Sequence, residues 1–209
     1  MDRRRLLSRA LPRLALAATA LTLGALAAGA QAVLLARPLF EAEVEALLPN
    51  YVARLQPRDA ASPATGGDVV MVVHAFRLDP IAGEHAVTPG IDITESVDAG
   101  HELVPVVVLL SMLAAWPWPR WRDAARALAL GLAACGALLA WTVPVHLAGL
   151  YELNLQRVAA ALHEARATPW MVRQMVFLES GGLWLLALLL GAGIVFAVDR
   201  RARTAVTRA

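Results

Sequence analysis

The 209-residue chain contains no lysine: all 19 basic residues are arginine, set against 17 acids. With abundant Ala, Leu and Gly, this reads as a compositional bias rather than a nucleic-acid patch. There is one cysteine, Cys135, so an intrachain disulfide framework is excluded. No HExxH, CxxC or paired-carboxylate spacing occurs. No glycine-rich phosphate loop and no serine nucleophile elbow is present either. The sequence therefore assigns no catalytic, cofactor-binding or metal-binding residue.

What the chain does have is apolar length. It is 58% hydrophobic, with a mean hydropathy of +0.57, above the usual composition of a soluble domain. Four stretches lack charged side chains: residues 14–36, 103–119, 127–151 and 180–198. About 20 helical residues cross a hydrocarbon core roughly 30 Å thick. The second stretch is the shortest, and it carries Pro105, Pro117 and Pro119. A membrane α-helical protein with four transmembrane helices is expected.

Charge orients the spans. Residues 1–13, 120–126 and 199–209 hold 12 arginines and three acids, whereas 37–102 and 152–179 hold seven arginines and 14 acids. The positive-inside rule puts both termini and the 120–126 loop in the cytoplasm. The arginine clusters are thereby assigned to topology, and nucleic-acid binding has no support. Trp116, Trp118 and Trp121 fall at the inner interface. The first span contains Ala30-Gln31-Ala32, the A-x-A form that signal peptidase cuts. The uncharged run continues past it to residue 36, giving 23 residues, or roughly 35 Å of helix. A retained span fits that length better than a cleaved leader.

The 37–102 insert is expected to form a small extracytoplasmic α+β cap. In "RPLFEAEVEALLPNYVARLQ", Phe40, Val44, Leu47, Leu48, Tyr51, Val52 and Leu55 share one helical face. Glu41, Glu43 and Glu45 lie mostly off that face, and Pro49 should kink or split the helix. Such a helix covers a small domain, lies on the membrane, or binds a partner. "PRDAASPATGG" reads as a loop, "DVVMVVHAFRL" as a strand, "DPIAG" as a turn and "GIDITESV" as a second strand. Two strands alone are marginal in water and need a cover. The 152–179 segment reads as a polar helix, a break at Thr168-Pro169, and a helix returning to the membrane.

Few side chains invite chemistry. Cys135 lies in "LAACGALLA", which supplies neither the base nor the positive charge a thiolate needs. It reads as a small hydrophobe. His146 sits about three-quarters of the way along the third span, and an intramembrane ionisable residue is a functional candidate by default. Glu179 begins the fourth span beside Gly181-Gly182, a pair suited to close helix packing. The layout permits a His146–Glu179 contact, with a structural hydrogen bond ranked ahead of an acid–base pair. His74, His101 and His163 are scattered, and "GHE" at 100–102 is weak as a metal motif.

The order of segments resembles the small four-pass membrane proteins associated with exosortases, the exosortase H-associated type in particular. The resemblance runs from the basic N-terminus and first span through "PLFEAEVEALLPNYVARLQ" and "VVMVVHAF" to "DAGHELVPVVVLLSMLAAWPWPRWR". An arginine-rich turn, a third span, an outward helix and a last span complete it. It implies a bacterial inner-membrane accessory to an exosortase-type protein-sorting enzyme, with no catalytic residues of its own. "TVPVHLAGLYELNLQRV", with Asn154 and Arg157, is similar to a stretch of the exosortases themselves. Cys135 lies too close to Arg157 for that family's site, and no His stands near "FLESGG", so the likeness is one of layout. The expected function is a non-enzymatic accessory whose partners are the lipid bilayer and an exosortase-like enzyme. The alternative is a membrane peptidase or transpeptidase using Cys135, or His146 with Glu179. A transporter subunit ranks last, because the spans have almost no polar groups at mid-membrane.

Overall fold

Pro38 in the first turn and Leu48 as C-cap delimit a helix over Arg37–Leu47, which buries Phe40, Glu41 and Val44. The computed structural model of the chain describes residues 3–58 and 69–206. Most of "PRDAASPATGG" lies outside the described residues. In order, the elements are α1 (Arg3–Leu35), α2 (Arg37–Leu47), β1 (Tyr51–Pro57), β2 (Val69–Ala75), β3 (Asp79–Ala82), β4 (His85–Val87) and β5 (Asp92–Val97). Then come α3 (Ala99–Glu102), α4 (Val104–Ala115), α5 (Trp121–Ala161), α6 (Trp170–Phe177), a kinked turn (Leu178–Gly182) and α7 (Leu183–Val206). Three stretches of helix are long and apolar enough to cross a membrane: Leu11–Leu35, Trp121–Ala161 and Trp170–Arg200. The expected second span is shorter. Its helix, α4, has 12 residues, about 18 Å at 1.5 Å per residue, and turns to extended backbone at Trp116.

The chain divides into two compact units. One comprises residues 1–27, 103–139 and 182–209. Its core is Leu109 and Leu113 of α4, Cys135 of α5, and Ala187 and Val195 of α7. Small residues let these helices close up. A Cβ on Gly131 would stand 2.4 Å from Leu113 Cδ1, and one on Gly191 would stand 2.7 Å from Met112 Sδ. Outward, Leu14, Leu16, Leu23, Leu26, Trp184, Leu188, Leu189 and Phe196 are exposed. That much apolar surface on a few helices is what a lipid-facing bundle presents.

The other unit comprises residues 28–102 and 140–181. Its sheet runs β1-β2-β5, all antiparallel, with Tyr51 opposite Ala75 and Val69 opposite Val97. One face buries Tyr51, Ala53 and Leu55, together with Met71, Val73, Ala75 and Val97. Tyr51 stacks edge-on against Tyr151 of α5, ring centroids 4.8 Å apart. A helix over the whole of "RPLFEAEVEALLPNYVARLQ" is therefore not what forms. The chain is helical to Leu47, turns at Pro49-Asn50, and continues as β1. Up to Leu48 a helical face explains burial; from Tyr51 on, the same apolar residues alternate at period two. "DPIAG" is likewise more than a turn, since Asp79–Ala82 pairs with His85–Val87 as a small hairpin.

The glutamates set aside as off-face residues join helix to sheet. Glu41 Oε1 accepts the Leu55 N–H at 2.8 Å, and Glu45 Oε1 accepts the Ala53 N–H at 3.2 Å. Residues 41 and 45 are one helical turn apart, and 53 and 55 share one strand edge, so the two spacings match. The edge of β1 is thereby sealed by side chains. Arg37 Nε, 2.8 Å from Glu41 Oε1, balances the buried charge. Replacing Glu41 with Ala leaves the buried Leu55 N–H without an acceptor, a cost of about 1–3 kcal/mol. Thermal unfolding in detergent should show E41A melting well below the wild type, with E43A, at an exposed position, unchanged.

Candidate functional site

All the site residues below belong to the second unit. The site begins at Asp98, which follows β5. Its Oδ1 accepts the backbone N–H groups of Gly100 (2.8 Å) and His101 (3.3 Å), starting the short α3. That turn presents His101 and Glu102 side by side. Glu102 is 1% exposed. Its Oε1 meets Nδ1 of His146, which comes from α5 two residues after Pro144. Proline has no N–H to give the helix ladder at that point. The other imidazole nitrogen, Nε2, lies 2.9 Å from Glu179 Oε1.

Glu179 stands in the kink where α6 passes into α7. The turn resolves at Gly181, whose φ of +107° is in the left-handed region. Apart from its own chain neighbours, nothing lies within 4 Å of where a Cβ on Gly181 would sit, so this member of the pair serves the backbone kink, while Gly182 is buried.

The expected His146–Glu179 contact is present, and it is half of a larger arrangement. Glu102, on the inner side, was not among the expected partners, and neither was His101. The His101 Nε2 lies 3.7 Å from Glu179 Oε1, and its ring centroid is 6.3 Å from that of His146. These groups open onto a cavity of about 350 Å³ lined by Ser96, Val97, Asp98, His101, His146, Leu150 and Glu179. The sequence did carry a signal for Glu102: an acid placed directly ahead of an apolar run, four residues after Asp98, which is able to cap a helix. Among the described residues no set of three His, Cys, Asp or Glu side chains is arranged to hold a metal ion.

The chemistry follows from proton counting. An imidazole donates from both nitrogens only when protonated; a neutral ring facing two carboxyls needs a proton on one of them. His146 therefore bridges the two carboxyl groups, one ring nitrogen to each. The buried carboxylate fixes the ring, and Glu179, 46% exposed, meets solvent. That is the arrangement of a positioned acid–base group.

Further polar contacts brace the unit. Arg166, from the segment between α5 and α6, bonds both oxygens of Glu152, with Nη2–Oε2 at 3.0 Å, and the carbonyls of Pro80 and Ile81. Asp79 accepts from Tyr51 Oη at 2.7 Å and from Asn50 Nδ2 at 3.3 Å. Burial pushes the Tyr51 phenol far above its usual range, with Tyr151 and Asp79 pushing the same way, so it stays a donor. Asn154 Nδ2 donates to Glu95 Oε1 on β5 at 2.9 Å. His74 pairs with Asp92 at 2.6 Å on the exposed side of the sheet. Cys135 takes no part in these clusters and is buried in the apolar core of the first unit.

Compared with family models, curated proteins and solved structures, the chain matches none.

Glu95 generates a pH prediction. Burial raises its pKa above the usual carboxylate value, against the opposing pull of Asn154 and Arg157. The folded state thus holds that proton more tightly than the unfolded state, and ionising it costs stability as pH rises through the folded pKa. Glu95→Gln keeps an acceptor for Asn154 and never ionises. Its melting temperature should exceed the wild type's at about pH 8, and the gap should close toward about pH 5. A gap that widens on acidification contradicts the assignment.

Proposed function

We propose that this protein is a non-enzymatic inner-membrane accessory that presents its α/β unit on the outer side of the membrane. There it binds or positions a protein-sorting enzyme of exosortase type, or that enzyme's substrate. Both termini are cytoplasmic in this reading, and α4 serves as a short fourth membrane segment packed against α5 and α7. The observation that carries it is the asymmetric sheet. The β1 edge is sealed by Glu41 and Glu45, whereas among the described residues no hydrogen bond reaches the outer edge of β5. Proteins normally blunt such edges, and one left open is suited to receiving another chain.

The test is a cross-link. A photoreactive side chain at Thr94, in native membranes, should couple to a membrane sorting enzyme or to a protein carrying its sorting tail. Cys135→Ala should leave that coupling unchanged. Coupling only to lipid would sink the reading.

A second reading, membrane-bound acid–base catalysis, is favoured by the Glu102–His146–Glu179 arrangement. It requires His146→Asn or Glu102→Gln to abolish substrate processing by about 100-fold or more, on the scale of positioned proton transfer, while the protein still accumulates. Under the accessory reading, the same variants change how much of the partner is captured, not the turnover of the enzyme that is captured.

A further inference from the structure

The open edge and the cavity are continuous. In the β2–β5 register Val97, Glu95 and Ile93 stand opposite Val69, Met71 and Val73. The N–H groups of Ala53 and Leu55 point away from β2, toward Glu45 and Glu41. Backbone pairing alternates along a strand. Consequently β2 bonds β1 through residues 70, 72 and 74, and β5 through 69, 71 and 73. On β5 that leaves the backbone groups of Asp92, Thr94 and Ser96 pointing outward. Among the described residues, none of these outward groups has a hydrogen-bond partner. Ser96, the last rung of this free ladder, is also a wall of the 350 Å³ cavity.

The cavity's charge selects what the ladder would hold. Asp98 and Glu179 line it, and Glu102 stands directly behind His146. Three carboxyl groups thus face two imidazoles, and the excess is acidic. A strand laid along β5 projects alternate side chains to each face, so the residue beside Ser96 is placed to reach the cavity.

We propose that the β5 edge and the cavity at its end form one binding site for an extended peptide segment of another protein bearing an Arg or Lys side chain. Backbone groups of residues 92, 94 and 96 hold the segment, and Glu179 and Asp98 receive the cation. The inference rests on the accessory reading, naming what the accessory holds. It fails separately: loss of peptide binding with cross-linking intact overturns this site alone.

The experiment uses the full chain in detergent micelles and fluorescence anisotropy. The probe is a fluorescein-labelled heptapeptide of alternating Thr and Val with one central Arg. Saturable binding is expected, retained with Lys and lost with Glu at the centre. Methylating alternate backbone amides of the probe should weaken binding at least tenfold. On the protein, Glu179→Gln should do the same. So should Thr94→Pro, which removes an outward N–H but no ladder bond. Should Thr94→Pro fail to fold, the methylated probe decides alone, since it leaves the protein untouched. No saturable binding by the wild type, equal binding of the methylated probe, or indifference to the central charge would each overturn the proposal. A wild-type dimer that Thr94→Pro dissociates would overturn it too, placing a second copy on the edge.

Discussion

A carboxyl group that is 1% exposed must be paired, and Glu102 is paired with an imidazole. Removing one member of a buried pair typically costs about 3–5 kcal/mol, mostly because the other is left stranded. That constraint ties three distant stretches together. Glu102 closes the insert, His146 lies in the longest helix, and Glu179 stands on the turn into α7. Once Glu102 Oε1 and His146 Nδ1 are joined, Nε2 has one direction left, and the kink at Gly181 brings Glu179 into it. The cavity, its acidic lining and the placement of His101 follow from that join.

The sheet answers to the same rule in its backbone. A three-stranded sheet has two edges, and here they are treated differently. Closing the β1 edge took two glutamates, one of them buried, with Arg37 to balance the charge. Nothing comparable acts on β5, although Asn154 reaches that strand through the Glu95 side chain. The exposed residues of that edge are Asp92 and Thr94.

Much of the architecture was legible. Hydropathy located the long apolar helices, valine content located β2, and alternation located β5. The break at Thr168-Pro169 was legible because proline starts α6. What failed did so where two periodicities overlap. Phe40, Val44 and Leu48 fit a helical face, and Tyr51 and Leu55 extend it by numerical coincidence while alternating as a strand. Short pairs such as β3 with β4 carry too few residues for alternation to register. Of the site, His146 and Glu179 stood out as ionisable groups beside apolar runs. Glu102 did not, because the sequence shows a carboxylate at the insert's end but not that the chain will bury it.

The same limit governs how the charge asymmetry is understood. In a count of arginines against acids, the acids of residues 37–102 and 152–179 are a remainder. In the structure they are the acceptors from which the second unit is assembled. Glu41 and Glu45 hold a strand edge, and Asp79 and Glu152 hold Arg166. Glu95 accepts from Asn154, Asp98 starts α3, and Glu102 and Glu179 fix His146. A unit of this size, with few strands and a small core, must find order beyond apolar burial. Carboxylates supply it, because each oxygen accepts from backbone and side-chain donors alike. The charge count therefore does not explain where these acids stand; their acceptor roles do, and Glu179 is a structural acceptor that stays half exposed.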